Sequence, residues 1–146
     1  MDMLLTAIVV WLFANFGLPA NYDFPRIERM PSTAMTNLRY QGLSAEQRQA
    51  MSIDQLQQVM SLYSDEEKTI YLLPEWTGRT PAELSILVHE MVHHSQNLSH
   101  ANYVCPAERE KLAYQAQEKW LVQHSKSLES EFGLDRMSVF VMSRCM

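Results

Sequence analysis

One pentapeptide constrains this chain more than anything else in it: His89-Glu90-Met91-Val92-His93. Residues four apart share one face of an α-helix. Two imidazoles at that spacing can close on one zinc ion, and Glu90 between them can take a proton from water activated there. At ordinary residue frequencies the pattern arises by chance in on the order of a few chains per thousand of this length. The flanking residues agree with a helix. Leu84, Leu87, Met91 and Leu98, with Val88 at the edge, fall on one side by the 3.6 period, and His89, His93 and Gln96 fall opposite. Thr80, Pro81 and Glu83 read as N-cap, first helical residue and capping-box partner, which predicts a helix running to about Gln96 or Leu98. The bland alternative is a solvated helix with a chance histidine cluster, since His94 and His100 are close by.

A catalytic zinc takes three protein ligands and keeps one position open. His100 lies seven residues beyond His93, about 10 Å along a continued helix, too far to share the ion. The metzincin pattern would need Gly at Gln96 and His at Ser99, so it fails twice. The next predicted helix, from Pro106 to about Gln123, offers Glu108 and Glu110. Glu110 is in phase with Ala113, Tyr114, Gln117, Trp120 and Leu121, whereas Glu108 is in phase with Gln115 and Lys119 on the solvated side. Glu110 is therefore the expected third ligand. Tyr114, one turn on, is a candidate for the second shell or for an oxyanion donor, and otherwise a buried aromatic with a wet hydroxyl. His124 is a candidate acid or second-shell group, and otherwise a surface histidine near a helix end.

The rest of the chain sets the frame. A length of 146 residues suits a single domain. With a net charge of −5 and no cluster of Lys and Arg, nucleic acid is set aside as a partner. Asp2 to Phe16 reads as an apolar first helix ended by Gly17. The segment from Met3 to Phe16 also resembles the core of a signal peptide, but no basic residue precedes it, so a buried helix is preferred and residues 1–20 are kept in the domain. No firm membrane partner follows, and a cytoplasmic location is slightly preferred over export. Cys105 and Cys145 read equally as a disulfide, which would imply an oxidising compartment, or as two unrelated thiols. Phe24 to Met30 and Thr69 to Leu73 are predicted strands, Leu38 to Gly42 is weakly extended, and a helix of uneven quality runs from a Ser44 cap towards Met60. After Ser125 come a break at Gly133 and a short apolar piece, Val139 to Met142.

Taken together, Ile70-Tyr71-Leu72, a turn with Trp76, the run from Leu87 to Gln96, and Glu110-Lys111-Leu112-Ala113-Tyr114 resemble the minimal gluzincins. These are small bacterial zinc metallopeptidase-like proteins, many of them domains of unknown function. The resemblance spans roughly Pro25 to Gln123 and is specific at the zinc helix. It implies an α+β, zincin-like fold, with a short sheet packed on the active-site helix and a ligand helix after it. It implies His89, His93 and Glu110 as ligands of one Zn2+ per chain, and Glu90 as base. It also implies that Thr69 to Leu73 is an edge strand able to pair with an extended peptide. Larger gluzincins carry Asp four residues after the ligand glutamate, where this chain has Tyr114. The expected function is peptide-bond hydrolysis by a Glu-activated water on zinc, acting on a peptide or protein substrate. The alternative is a non-catalytic zinc-binding module of the same fold that acts in protein interaction.

Overall fold

The structure, a computed structural model, describes residues 1–42, 44–49 and 59–145. It is α+β, and it divides into two compact units, one from Met1–Pro25 with Thr77–Met146 and one from Arg26–Trp76.

The first unit is helical. Helix α1 covers Asp2–Phe16 and ends where predicted, on Gly17 in the left-handed region at φ 67°. It buries Leu5, Ile8, Val9 and Leu12 and sets Trp11 edge-on to Trp120, with ring centroids 5.1 Å apart. Among the described residues, no helix is long and apolar enough to cross a membrane. Helix α4, Pro81–Leu98, carries the pentapeptide. Its N-cap is Thr80, whose hydroxyl accepts from the Glu83 N–H at 3.1 Å. The expected capping box is altered, because the Glu83 carboxylate takes the Thr77 N–H at 2.7 Å rather than that of Thr80. Helix α5 covers Glu110–Gln123 and makes its main contacts with α4. The predicted helix from Pro106 is split, since Pro106–Arg109 winds as a 3-10 turn. Helix α6, Leu128–Phe132, ends on Gly133 at φ 68°, and helix α7 covers Arg136–Met142. Cys105 and Cys145 form a disulfide with Cα atoms 5.7 Å apart, tying the segment after α7 to the start of the 3-10 turn.

The apolar stripe expected on α4 understates its burial. Ser85 to Gln96 are all buried, the histidines included. The solvated-helix alternative therefore does not describe α4. A helix covered on every side is a core element.

The second unit holds a three-stranded sheet in the order β1-β3-β2, with β1 Arg26–Arg29, β2 Ser61–Ser64 and β3 Thr69–Leu72. Strand β3 pairs parallel with β1, Ile27 opposite Ile70, and antiparallel with β2, Leu62 opposite Tyr71. Thr69–Leu72 is thus the central strand, not the expected edge, and both its backbone sides are in use. Its burial explains the preference: Ile70 and Leu72 are fully buried, and a central strand gains pairing on both sides. Helix α2, Ser32–Arg39, occupies part of the stretch expected to be extended. Its Met35 is buried, and the Ser32 hydroxyl donates to Val59 O at 3.1 Å. Ser44 caps α3, Ala45–Gln49, reciprocally: the Gln47 N–H donates to the Ser44 hydroxyl at 3.1 Å, and the Ser44 N–H to Gln47 Oε1 at 2.8 Å. The rest of that predicted helix, residues 50–58, lies outside the described residues.

Candidate metal centre

The fold of the first unit brings three expected ligands to one point. His89 and His93 leave α4 one turn apart, with ring centroids separated by 5.0 Å. Glu110, the first residue of α5, reaches both. Its Oε2 lies 2.9 Å from His89 Nε2 and 3.1 Å from His93 Nε2. One donor atom from each residue lies within 4.8 Å of the other two, so the group can hold a metal ion. Tetrahedral ligands at about 2.0–2.1 Å from an ion stand about 3.3 Å apart, and both Glu110–histidine separations lie within a few tenths of an ångström of that.

The electrostatics suit a cation. Burial pushes the Glu110 carboxyl up, but hydrogen bonds from His89 and His93 outweigh it and hold the group well below the usual carboxylate range. Glu110 therefore presents an anion to the site. Burial lowers His93, but the bonding and charge of Glu110 outweigh it and leave it above the ordinary histidine value.

Each outer ring nitrogen of the two histidines meets a glutamine. His89 Nδ1 lies 2.9 Å from Gln117 Oε1, and His93 Nδ1 lies 2.8 Å from Gln96 Oε1. Sequence reasoning placed both glutamines on the correct helical faces and gave neither a role. No local signal distinguishes them, because each contact depends on where α4 and α5 meet.

Glu90 follows the motif. Its Oε1 is 3.8 Å from His89 Nε2, and the residue is 4% exposed. Among the described residues its Oε2 has no hydrogen-bond partner. A buried carboxylate oxygen left in that state costs on the order of a few kcal/mol, which calls for an explanation in chemistry rather than stability.

The remaining candidates separate. Tyr114 lies against the site, its ring centroid 4.7 Å from that of His89 in an edge-on arrangement. His124 is a correction: it is the exposed C-cap of α5, fourteen residues or about 21 Å along the axis from Glu110, and its ring packs 5.5 Å from Trp120. Glu108 stays in the 3-10 turn, where it accepts the Val104 N–H at 3.1 Å. His94 is fully buried on another side of α4, with its Nε2 2.7 Å from Asp23 O, so it is structural. A groove of about 1280 Å³ runs along the Lys111, Gln115, Glu118 and Val122 side of α5. None of His89, Glu90, His93 or Glu110 lines it, and Tyr114 is the residue it shares with the surroundings of the site.

No curated protein and no solved structure matches the sequence. One family model does, over residues 1–146, and the chain belongs to that family, a domain of unknown function (DUF6647).

Proposed function

We propose that this protein is a zinc-dependent peptidase of the minimal gluzincin kind. His89, His93 and Glu110 hold the ion, and Glu90 is the general base. Two neutral imidazoles and one carboxylate are a donor set typical of catalytic zinc, whereas structural zinc closes its shell with four protein ligands. When bound, zinc supplies a Lewis acid that polarises a carbonyl and lowers the pKa of water at its open position. The observation that carries the reading is the buried, unpartnered Oε2 of Glu90 beside the donor cluster. Glu90 takes a proton from the attacking water and returns it to the departing amine nitrogen. Tyr114, edge-on to His89, limits the ring's freedom to tilt.

The test compares the native chain with Glu90→Gln, each loaded with zinc, on a mixed peptide library read by mass spectrometry. Glu90→Gln should keep its zinc and lose hydrolysis by at least about 100-fold. Equal cleavage by both proteins would assign the activity elsewhere. The groove away from the donors favours a second reading, a non-catalytic zinc module that binds another protein. That reading expects no cleavage by the native chain and no effect of Glu90→Gln on zinc or on melting.

A further inference from the structure

We infer that Gln96 and Gln117 are positioning residues that fix which nitrogen of each histidine faces the metal, and that they do so with neutral amides. The inference rests on the metal-holding half of the reading above and is independent of hydrolysis.

The orientation of each amide follows from its other end. Gln96 Nε2 lies 3.1 Å from Arg109 O. A backbone carbonyl only accepts, so the amide nitrogen must be on that side. The Gln96 oxygen therefore faces His93 Nδ1 at 2.8 Å, and because an amide oxygen also only accepts, Nδ1 carries the proton. For Gln117 the reasoning takes one more step. The Ser85 hydroxyl donates to Ala82 O at 2.7 Å, which uses its one hydrogen. The Ser85 oxygen can then only accept, and Gln117 Nε2 donates to it at 3.2 Å. This turns the Gln117 oxygen to His89 Nδ1 at 2.9 Å and fixes a proton there too. In both rings Nε2 is left to face Glu110 and the ion.

Burial makes these locks effective. Gln96 and Gln117 are 4% and 5% exposed, so water does not compete for their amides. Gln96 also does more than orient one ring. It connects His93 on α4 to the carbonyl of Arg109, the residue immediately before Glu110. Two ligands on different helices thus share one amide as their spacer. A glutamate at 117 could orient its ring through an oxygen but would add a negative charge to it, and a glutamate at 96 would also lose the donor to Arg109 O. The amides orient without that charge.

The experiment uses the full chain, its zinc affinity by competition with a chromophoric chelator, and long-range 1H–15N spectra of the histidine rings in the zinc-loaded form. Gln96→Leu and Gln117→Leu should each weaken zinc binding by about 10–100-fold. Each should also expose the corresponding Nδ1 proton to rapid exchange. Gln117→Glu keeps an acceptor for His89, and the Ser85 hydroxyl can turn to donate to its second oxygen, so it should hold affinity within a few-fold of native and move the Nδ1 proton downfield. Native affinity and native ring signals in the leucine variants would overturn the inference. A Gln117→Glu variant as weak as Gln117→Leu would also overturn it, because then the acceptor is not what counts. Should a leucine variant fail to fold, the Nδ1 shift in Gln117→Glu decides alone, and an unmoved proton counts against the inference. A native chain that binds zinc and passes these tests yet cuts no peptide leaves the inference standing and removes the peptidase reading.

Discussion

Two glutamates separated by one residue have different tasks, and the difference comes from their position along the chain rather than their chemistry. Glu108 lies in the 3-10 turn and caps a loop through the Val104 N–H. Glu110 begins α5 and places one oxygen between two imidazoles. A neutral amide at 110 would keep the shape and lose the anion. Glu110→Gln should therefore weaken zinc binding by more than about 100-fold, beyond the 10–100-fold expected when a residue that only orients a histidine is lost. Glu108→Gln keeps an acceptor for the Val104 N–H, so it should leave zinc within a few-fold of native and stability within about 1 kcal/mol. Chelator competition and thermal melting of the two variants check both halves. Equal zinc loss in the two would mean that the 3-10 turn, not the Glu110 carboxylate, controls the site.

At the scale of elements, α4 depends on its first turn. The Thr80 hydroxyl satisfies one of the free N–H groups there, and Glu83 ties the preceding loop through Thr77. Thr80→Ala should lower stability by about 1 kcal/mol, read as a lower melting temperature with zinc affinity little changed. A drop in affinity matching the loss of the glutamine locks would show that the cap also positions the histidines. Such caps are local in sequence, so the start of α4, the end of α1 at Gly17 and the Ser44 cap were all readable from neighbouring residues. The His89, His93 and Glu110 cluster was readable for the same reason, from the spacing of the pentapeptide and the phase of the next helix. Strand pairing is not local. The resemblance implied an edge strand at Thr69 to Leu73, and Ser61–Ser64, with no alternating apolar pattern, gave no sign of the second neighbour β2. His124 was misplaced although its spacing already argued against it, since fourteen residues from Glu110 along one helix is about 21 Å. Gln96 and Gln117 escaped notice because an amide has no motif of its own.

At the scale of the molecule, the helical unit is assembled from both ends of the chain, and its last part has little hydrophobic hold. Helix α7 has no buried residue, and Leu128 is the one buried residue of α6. The Cys105–Cys145 disulfide supplies a covalent hold across a sequence separation of 40 residues. In the chain-entropy model, closing a loop of that length is worth about 4 kcal/mol. A bond of this kind persists in oxidising compartments and is reduced in the cytosol, so it argues for export against the slight cytoplasmic preference drawn from the first residues. The 3-10 turn between Cys105 and Glu110 makes the bond relevant to the site as well: Cys105 is five residues from Glu110, and Cys145 Sγ lies 3.8 Å from Glu108 Oε2. Replacing both cysteines by serine should therefore act in two stages. Amide exchange should first rise across residues 128–145, where little else holds the chain. Zinc affinity should then fall by a smaller factor than in Glu110→Gln, because α5 retains its packing on α4 through Ala113, Ala116 and Leu121. Hydrogen exchange and chelator competition on the oxidised chain and the double-serine variant measure both stages. Unchanged exchange in residues 128–145 would mean that noncovalent contacts suffice to hold the tail, and a complete loss of zinc would mean that the disulfide, rather than α4–α5 packing, sets the position of Glu110.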